Sequence, residues 1–115
     1  MKSHKDLMVW KKSIELVSQI YGCSREWPKE ELYGLTNQVR RAAISVPSNI
    51  AEGAARGTGK DFARFLYIAL GSLAEIETQI IIADRLGFPA ASAKIEQDVS
   101  AIRGMLTGLI KSLQK

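Results

Sequence analysis

The sequence predicts an all-α fold, an antiparallel up-and-down four-helix bundle forming one domain over residues 1–115. Three observations predict it. Apolar residues recur at steps of three and four through four separate segments. The breaks between these segments carry proline or glycine, at Pro28, around Gly57 and Gly59, and at Gly87 and Pro89. No segment alternates apolar with polar residues as a half-buried strand would.

The first segment places Leu7, Trp10, Ile14, Val17 and Tyr21 on one side of a helix that ends near Cys23. Pro28 restarts the chain, and Glu30 and Glu31 suit the positive end of a helix dipole. The second helix is expected from Lys29 to Ala54, with Leu32, Leu35, Val39, Ala43, Val46 and Ile50 as its core row. Pro47 lies inside this pattern and cannot donate to the carbonyl of Ala43, which predicts a local bend.

Beyond Gly53 a glycine turn ends the second helix. Thr58, with Asp61 three residues on, fits a capping box opening the third. From Asp61 to about Leu86 the inward row is Phe62, Leu66, Ala69, Leu73, Ile76, Ile80 and Ala83, over about 39 Å at 1.5 Å per residue. Tyr67, Leu70, Ala74 and Ile81 make a second apolar row, and Ile68 and Ile82 face further round. A helix apolar on several sides is buried on several sides, by wide packing or by another subunit, and the reading here favours a subunit. Gly87 and Pro89 make the next break, Ser92 can cap the fourth helix, and Ile95, Val99, Ile102, Leu106, Leu109 and Leu113 form its row.

The glycine turn contains GTGK, which looks like the end of a phosphate-binding loop. That motif needs glycine at position 54, where this chain has Ala54, and a hydroxyl after the lysine, where it has Asp61. It also needs a strand feeding the loop. A turn between helices accounts for the glycines better.

Composition narrows the function classes. With one cysteine, Cys23, and one histidine, His4 in a terminal segment expected to be mobile, there is no intramolecular disulfide. Nor is there a convincing metal site or a nucleophile paired with a histidine, so no cofactor is expected and an enzyme is the minority reading. The opening MKSHKDLMVW has no apolar run of signal-peptide length, and no uncharged apolar run is expected to span a bilayer, which predicts a soluble cytoplasmic protein. The net charge is +4 and both ends are basic, with Lys2, Lys5, Lys11 and Lys12 at one and Arg103, Lys111 and Lys115 at the other. Such a balance either attracts nucleic acid or simply keeps the surface soluble.

The second helix also carries a polar row unlike a generic solvated face. Gln38, Arg41, Ser45, Asn49, Glu52 and Arg56 follow one another at steps of three or four, and Arg64, Ser72, Glu75 and Gln79 lie on a similar side of the third helix, with Gly71 allowing close approach. Arginine forks and amides suit directional bonds to phosphate, carboxylate or bases. The same groups can instead pair with each other, for instance Arg41 or Arg56 with Glu52 or Glu75, and seal an interface between helices or subunits. Arg40, about 100° round the helix from Arg41, reads as the freer charge.

The run RRAAISVPSNIAEGAARGTGKDFARFLYIALGSLAEIETQ, Arg40 to Gln79, closely resembles the four-helix-bundle proteins encoded by intervening sequences within bacterial 23S ribosomal RNA genes. The likeness extends to Asp6-Leu7, Val9-Trp10 and Tyr33-Gly34-Leu35-Thr36. It implies a bundle assembling into a homopentameric ring, similar to the accessory protein of diversity-generating retroelements, which binds nucleic acid and a reverse transcriptase. The family's recurring positions fall on Arg40, Arg41, Ser45, Pro47, Asn49, Glu52, Gly53, Arg56, Phe62, Phe65, Gly71, Ser72, Glu75 and Gln79.

The leading expectation is therefore a non-enzymatic oligomeric scaffold that binds RNA or DNA with low sequence specificity. Phosphate contacts would come from Arg40, Arg41, Arg56, Lys60 and the basic ends. Ser45, Asn49, Glu52, Ser72, Glu75 and Gln79 are candidates for a polar interface network. The alternative is a protein-interaction module docking a partner such as a polymerase or ribosomal factor, and an enzyme using Glu52 or Glu75 is a third.

Overall fold

A computed structural model describes residues 3–89 and 93–114. Four helices form in chain order: α1 (Met8–Ser24), α2 (Leu35–Ala55), α3 (Gly59–Arg85) and α4 (Ala93–Leu113). Short 3-10 turns at His4–Asp6 and Lys29–Glu31 precede the first two, and there is no strand among the described residues. Each helix packs on two others, α1 on α2 and α4, and α3 on α2 and α4, which closes a four-sided bundle measuring 44 × 24 × 19 Å. Ser92 lies outside the described residues.

The core runs along the centre of this bundle. Leu16 and Ile20 of α1, Val39, Val46 and Ile50 of α2, Leu66, Leu73 and Ile76 of α3, and Ile102 and Leu106 of α4 are each at most 1% exposed. Full burial of such a side chain is worth about 1.5–3 kcal/mol, so these ten dominate the stability of the bundle. The expected rows of α2, α3 and α4 largely coincide with this core. Ile80, Leu109 and Leu113 are only partly buried, and Ile110 joins the fourth helix's buried face.

The first helix is turned from the expected orientation. Its buried face is Val9, Ser13, Leu16, Ile20 and Ser24, whereas Leu7, Trp10, Val17 and Tyr21 are half-buried and Ile14 is exposed. Two serines made the true inner row look polar. Each satisfies itself within its helix, Ser13 Oγ donating to the Trp10 carbonyl and Ser24 Oγ to the Ile20 carbonyl, both at 2.7 Å. Once bonded backwards, a serine packs as a small core residue. His4 lies in the first 3-10 turn with its ring edge-on to Trp10, centroids 5.2 Å apart.

The second helix begins later than the periodicity predicts. The chain turns at Leu32–Gly34, leaving Leu32 exposed, and the Glu31 side chain accepts from the Leu35 amide at 3.1 Å, capping the first turn of α2. The helix continues through the buried Pro47 to Ala55.

Gly53 is not a helix terminator but a packing position inside α2. A Cβ there would lie 2.7 Å from Phe65 Cβ and 3.0 Å from Phe62 Cδ1. Gly71, by contrast, is exposed with nothing within 4 Å of a Cβ, so the close approach expected there occurs at Gly53. Gly57, at φ +88°, makes the turn, and Thr58 Oγ1 accepts from the Asp61 amide at 3.1 Å to start α3. With helices on both sides, the GTGK segment lacks the strand that a phosphate-binding loop requires.

By length and composition alone α3 is apolar enough to cross a bilayer, although it is not an uncharged run. Ten of its residues are nonetheless buried in the bundle, and Glu75 and Glu77 lie within its apolar stretch. A second set is uncovered. Tyr67, Ile68, Ile81, Ile82 and, just past the helix, Leu86 are each at least 43% exposed.

Candidate nucleic-acid interface

The polar rows of α2 and α3 meet along one seam. Ser72 Oγ donates to Ser45 Oγ at 2.8 Å, and Asn49 Nδ2 donates to the same Ser45 Oγ and to the Ser45 carbonyl, each at 2.8 Å. Ser72 is buried, so this cluster is part of the packing between the helices. Gln79 is also buried, and its Oε1 has no hydrogen-bond partner among the described residues. Towards the start of α2 the seam opens into a groove of about 420 Å³ lined by Tyr33, Asn37, Gln38, Arg41, Ala42, Ser45, Ser72 and Glu75.

The arginines divide by what they touch. Arg40 was expected to be the freer charge, and the structure reverses this. Its Nε donates to Ser24 Oγ at 2.8 Å and its guanidinium lies 4.5 Å from the centre of the Tyr21 ring, joining α2 to α1. Arg41 is exposed on the groove and has no hydrogen-bond or ion-pair partner among the described residues; nor has Glu75. A helical residue next to an arginine can point to a neighbour or to solvent, and only the serine and tyrosine of α1 decide which.

Arg56 and Arg64 take a third arrangement, at 4.9 and 4.8 Å from the centre of the Phe65 ring. Arg56 also pairs with Glu52 at 2.9 Å, one of the pairings the sequence allowed. That pair is half exposed, so it contributes little to stability. Lys60 is exposed near the start of α3 and lines a separate open cleft with Arg64, Tyr67 and Gln114. The sequence candidates thus do not form one site: Arg41, Ser45, Ser72 and Glu75 share the groove, while Arg56 and Lys60 lie by the glycine turn and Arg40 is engaged elsewhere.

Two features escaped sequence reasoning. Tyr33 is 91% exposed and forms one end of the groove, a placement hinted at by its position before Gly34 in a turn. Asp98 is buried inside the α1–α4 contact, where Gln19 Nε2 donates at 2.7 Å and the Lys94 and Lys12 ammonium groups approach to 3.2 and 3.4 Å. Burial opposes its ionised form, but the Gln19 hydrogen bond and the two lysines outweigh it and hold the carboxyl below the usual aspartate range. No group of three histidine, cysteine or acidic side chains suited to a metal ion occurs among the described residues.

The four-helix bundle and this seam accompany a match of residues 5–108 to the family described as 23S rRNA-intervening sequence protein. The chain belongs to that family. No curated protein shows a significant match to it.

Proposed function

We propose that the chain is a subunit of a non-enzymatic homo-oligomeric scaffold that binds nucleic acid, RNA in preference to DNA, with low sequence specificity. The observation that carries this reading is the uncovered apolar row of α3, Tyr67, Ile68, Ile81 and Ile82, on a chain of net charge +4. Burying that row against another copy removes apolar surface from water. Assembly also multiplies the charge, so that a ring of five would carry about +20, which makes phosphate binding strong and salt-dependent. Arg41 and Lys60 are the cations best placed to meet phosphate, with Arg56 contributing beside the turn.

An up-and-down antiparallel order of the helices belongs to the same proposal. Contacts support it, because residue numbers fall on one helix as they rise on its neighbour. Gly53 meets Phe65 where Ser45 meets Ser72, and Tyr67 meets Gln114 where Glu77 meets Arg103. Likewise Gln19 meets Asp98 where Trp27 meets Pro89.

A second reading, a module that docks a protein partner, draws on the groove of about 300 Å³ between α1 and α2, lined by Trp10, Ile14, Val17, Ile44 and Pro47 among others. Charge reversal separates the two. Arg41→Glu with Lys60→Glu is expected to remove binding of a labelled structured RNA at moderate salt while leaving the sedimenting mass unchanged. Unchanged RNA affinity in that variant would favour the protein-docking reading.

A further inference from the structure

We infer that the α2–α3 groove is a subsite for one unpaired nucleotide, with its base stacked on Tyr33, its phosphate on Arg41 and its amino edge towards Glu75. The inference rests on the nucleic-acid reading and adds to it a class of ligand, single-stranded rather than duplex. Four observations carry it. Tyr33 is the most exposed large apolar side chain described, yet it stands on an ordered turn, with the Gly34 amide bonded to the Glu31 carbonyl at 2.9 Å. A ring held out in water by fixed backbone is a ready stacking platform.

The second is the pairing of unused charges. Arg41 and Glu75 line the same groove with no ion-pair partner among the described residues, whereas Arg40, Arg56 and Arg64 all rest on aromatic rings. A phosphate alone would meet repulsion from Glu75. A nucleotide offers both signs, a phosphate for the guanidinium and an exocyclic amino group for the carboxylate.

The third is the remaining lining. Asn37 and Gln38 supply amides that donate and accept, and the Ser45 hydroxyl lies on the wall formed with Ser72. The fourth is size, because about 420 Å³ falls in the range of about 300–1,000 Å³ typical of small-molecule sites. A base already stacked and paired in a duplex presents no free face to Tyr33, so the groove selects unpaired ones.

The test uses the full chain, with fluorescence anisotropy of labelled twelve-nucleotide oligo-C and oligo-U and of a duplex of equal length. Tyr33→Ala is expected to weaken oligo-C binding roughly 5- to 100-fold, Tyr33→Phe to stay within about twofold, and duplex binding to be unchanged in both. Wild type is expected to prefer oligo-C to oligo-U, and Glu75→Gln to erase that preference. Because Tyr33 is almost fully exposed, its removal should leave the melting temperature unchanged. Equal oligo-C binding by wild type and Tyr33→Ala, an equal loss on duplex, or a changed assembly mass would overturn the subsite while leaving the scaffold reading intact. No binding of any of the three probes by wild type would overturn both.

Discussion

Ser72 and Ser45 share one hydrogen bond across the α2–α3 seam, 2.8 Å long, and the Asn49 amide donates to the same Ser45 oxygen. Ser45 is therefore the acceptor for two donors. Replacing it by alanine strands the buried Ser72 hydroxyl, a loss of about 1–3 kcal/mol, whereas Ser72→Ala removes a donor and leaves Asn49 to satisfy Ser45, a loss nearer 1 kcal/mol. Thermal melts of both single variants and the double variant check this, with the double expected to cost less than the sum of the two.

Gly53→Ala is expected to destabilise the bundle even though alanine favours a helix by about 1 kcal/mol. The new methyl would lie 2.7 Å from Phe65 Cβ and 3.3 Å from the Phe62 carbonyl oxygen, so α3 would have to move away from α2. Overpacking of this kind costs about 1–3 kcal/mol and here outweighs the propensity gain. Chemical denaturation should show a lower midpoint, while Gly71→Ala, with open space around it, should raise the midpoint or leave it unchanged.

Asp98 makes stability depend on pH with a definite sign. Its carboxyl ionises more readily folded than unfolded, so it contributes fully above the ordinary value of 3.8 and the contribution is lost as pH falls below 3.8 through the lower folded value. Asp98→Asn should lower stability at neutral pH by about 1–3 kcal/mol and flatten the acid limb of a melting temperature against pH curve. An acid limb as steep in the variant as in wild type would locate the acid sensitivity elsewhere.

Arg40 and Arg41 are adjacent in sequence and expected to differ in role. Arg40→Ala loses a bond to Ser24 and the contact with Tyr21, and should cost about 1–3 kcal/mol in stability with little change in nucleic-acid affinity. Arg41→Ala should show the opposite pattern. Parallel melts and binding titrations of the two variants read both quantities.

The exposed isoleucines of α3 predict a change in assembly without unfolding. Ile68→Asp with Ile81→Asp should leave the helical circular dichroism intact, since neither side chain is in the core, and reduce the sedimenting mass to that of one chain. A wild type that already sediments as one chain would remove the basis for an oligomeric scaffold.

Much of the fold is legible in the sequence because large aliphatic residues at three-and-four spacing have one way to be buried together. Leu66, Leu73 and Ile76 on α3 and Ile95, Val99, Ile102 and Leu106 on α4 belong to that class. Legibility ended where small or polar residues faced inward. Ser13 and Ser24 turned α1 by satisfying themselves, Gly53 set the α2–α3 distance through a contact no local rule reports, and Asp98 was buried by partners about 80 residues away. The candidate site was half legible. Arg41 and Ser45 from the expected row of α2 and Ser72 and Glu75 from that of α3 line one groove, but the fate of Arg40 depended on α1, and Tyr33 entered the groove through a turn that interrupted the expected helix.

The most direct test of the nucleic-acid scaffold is anisotropy of a labelled structured RNA titrated with the wild-type protein at several salt concentrations. Tight binding at low salt is expected, with a steep linear fall of log affinity with log salt whose slope reports several phosphate contacts per assembly. Absence of binding even at low salt would contradict it and return Arg41 and Lys60 to the ordinary solvated surface.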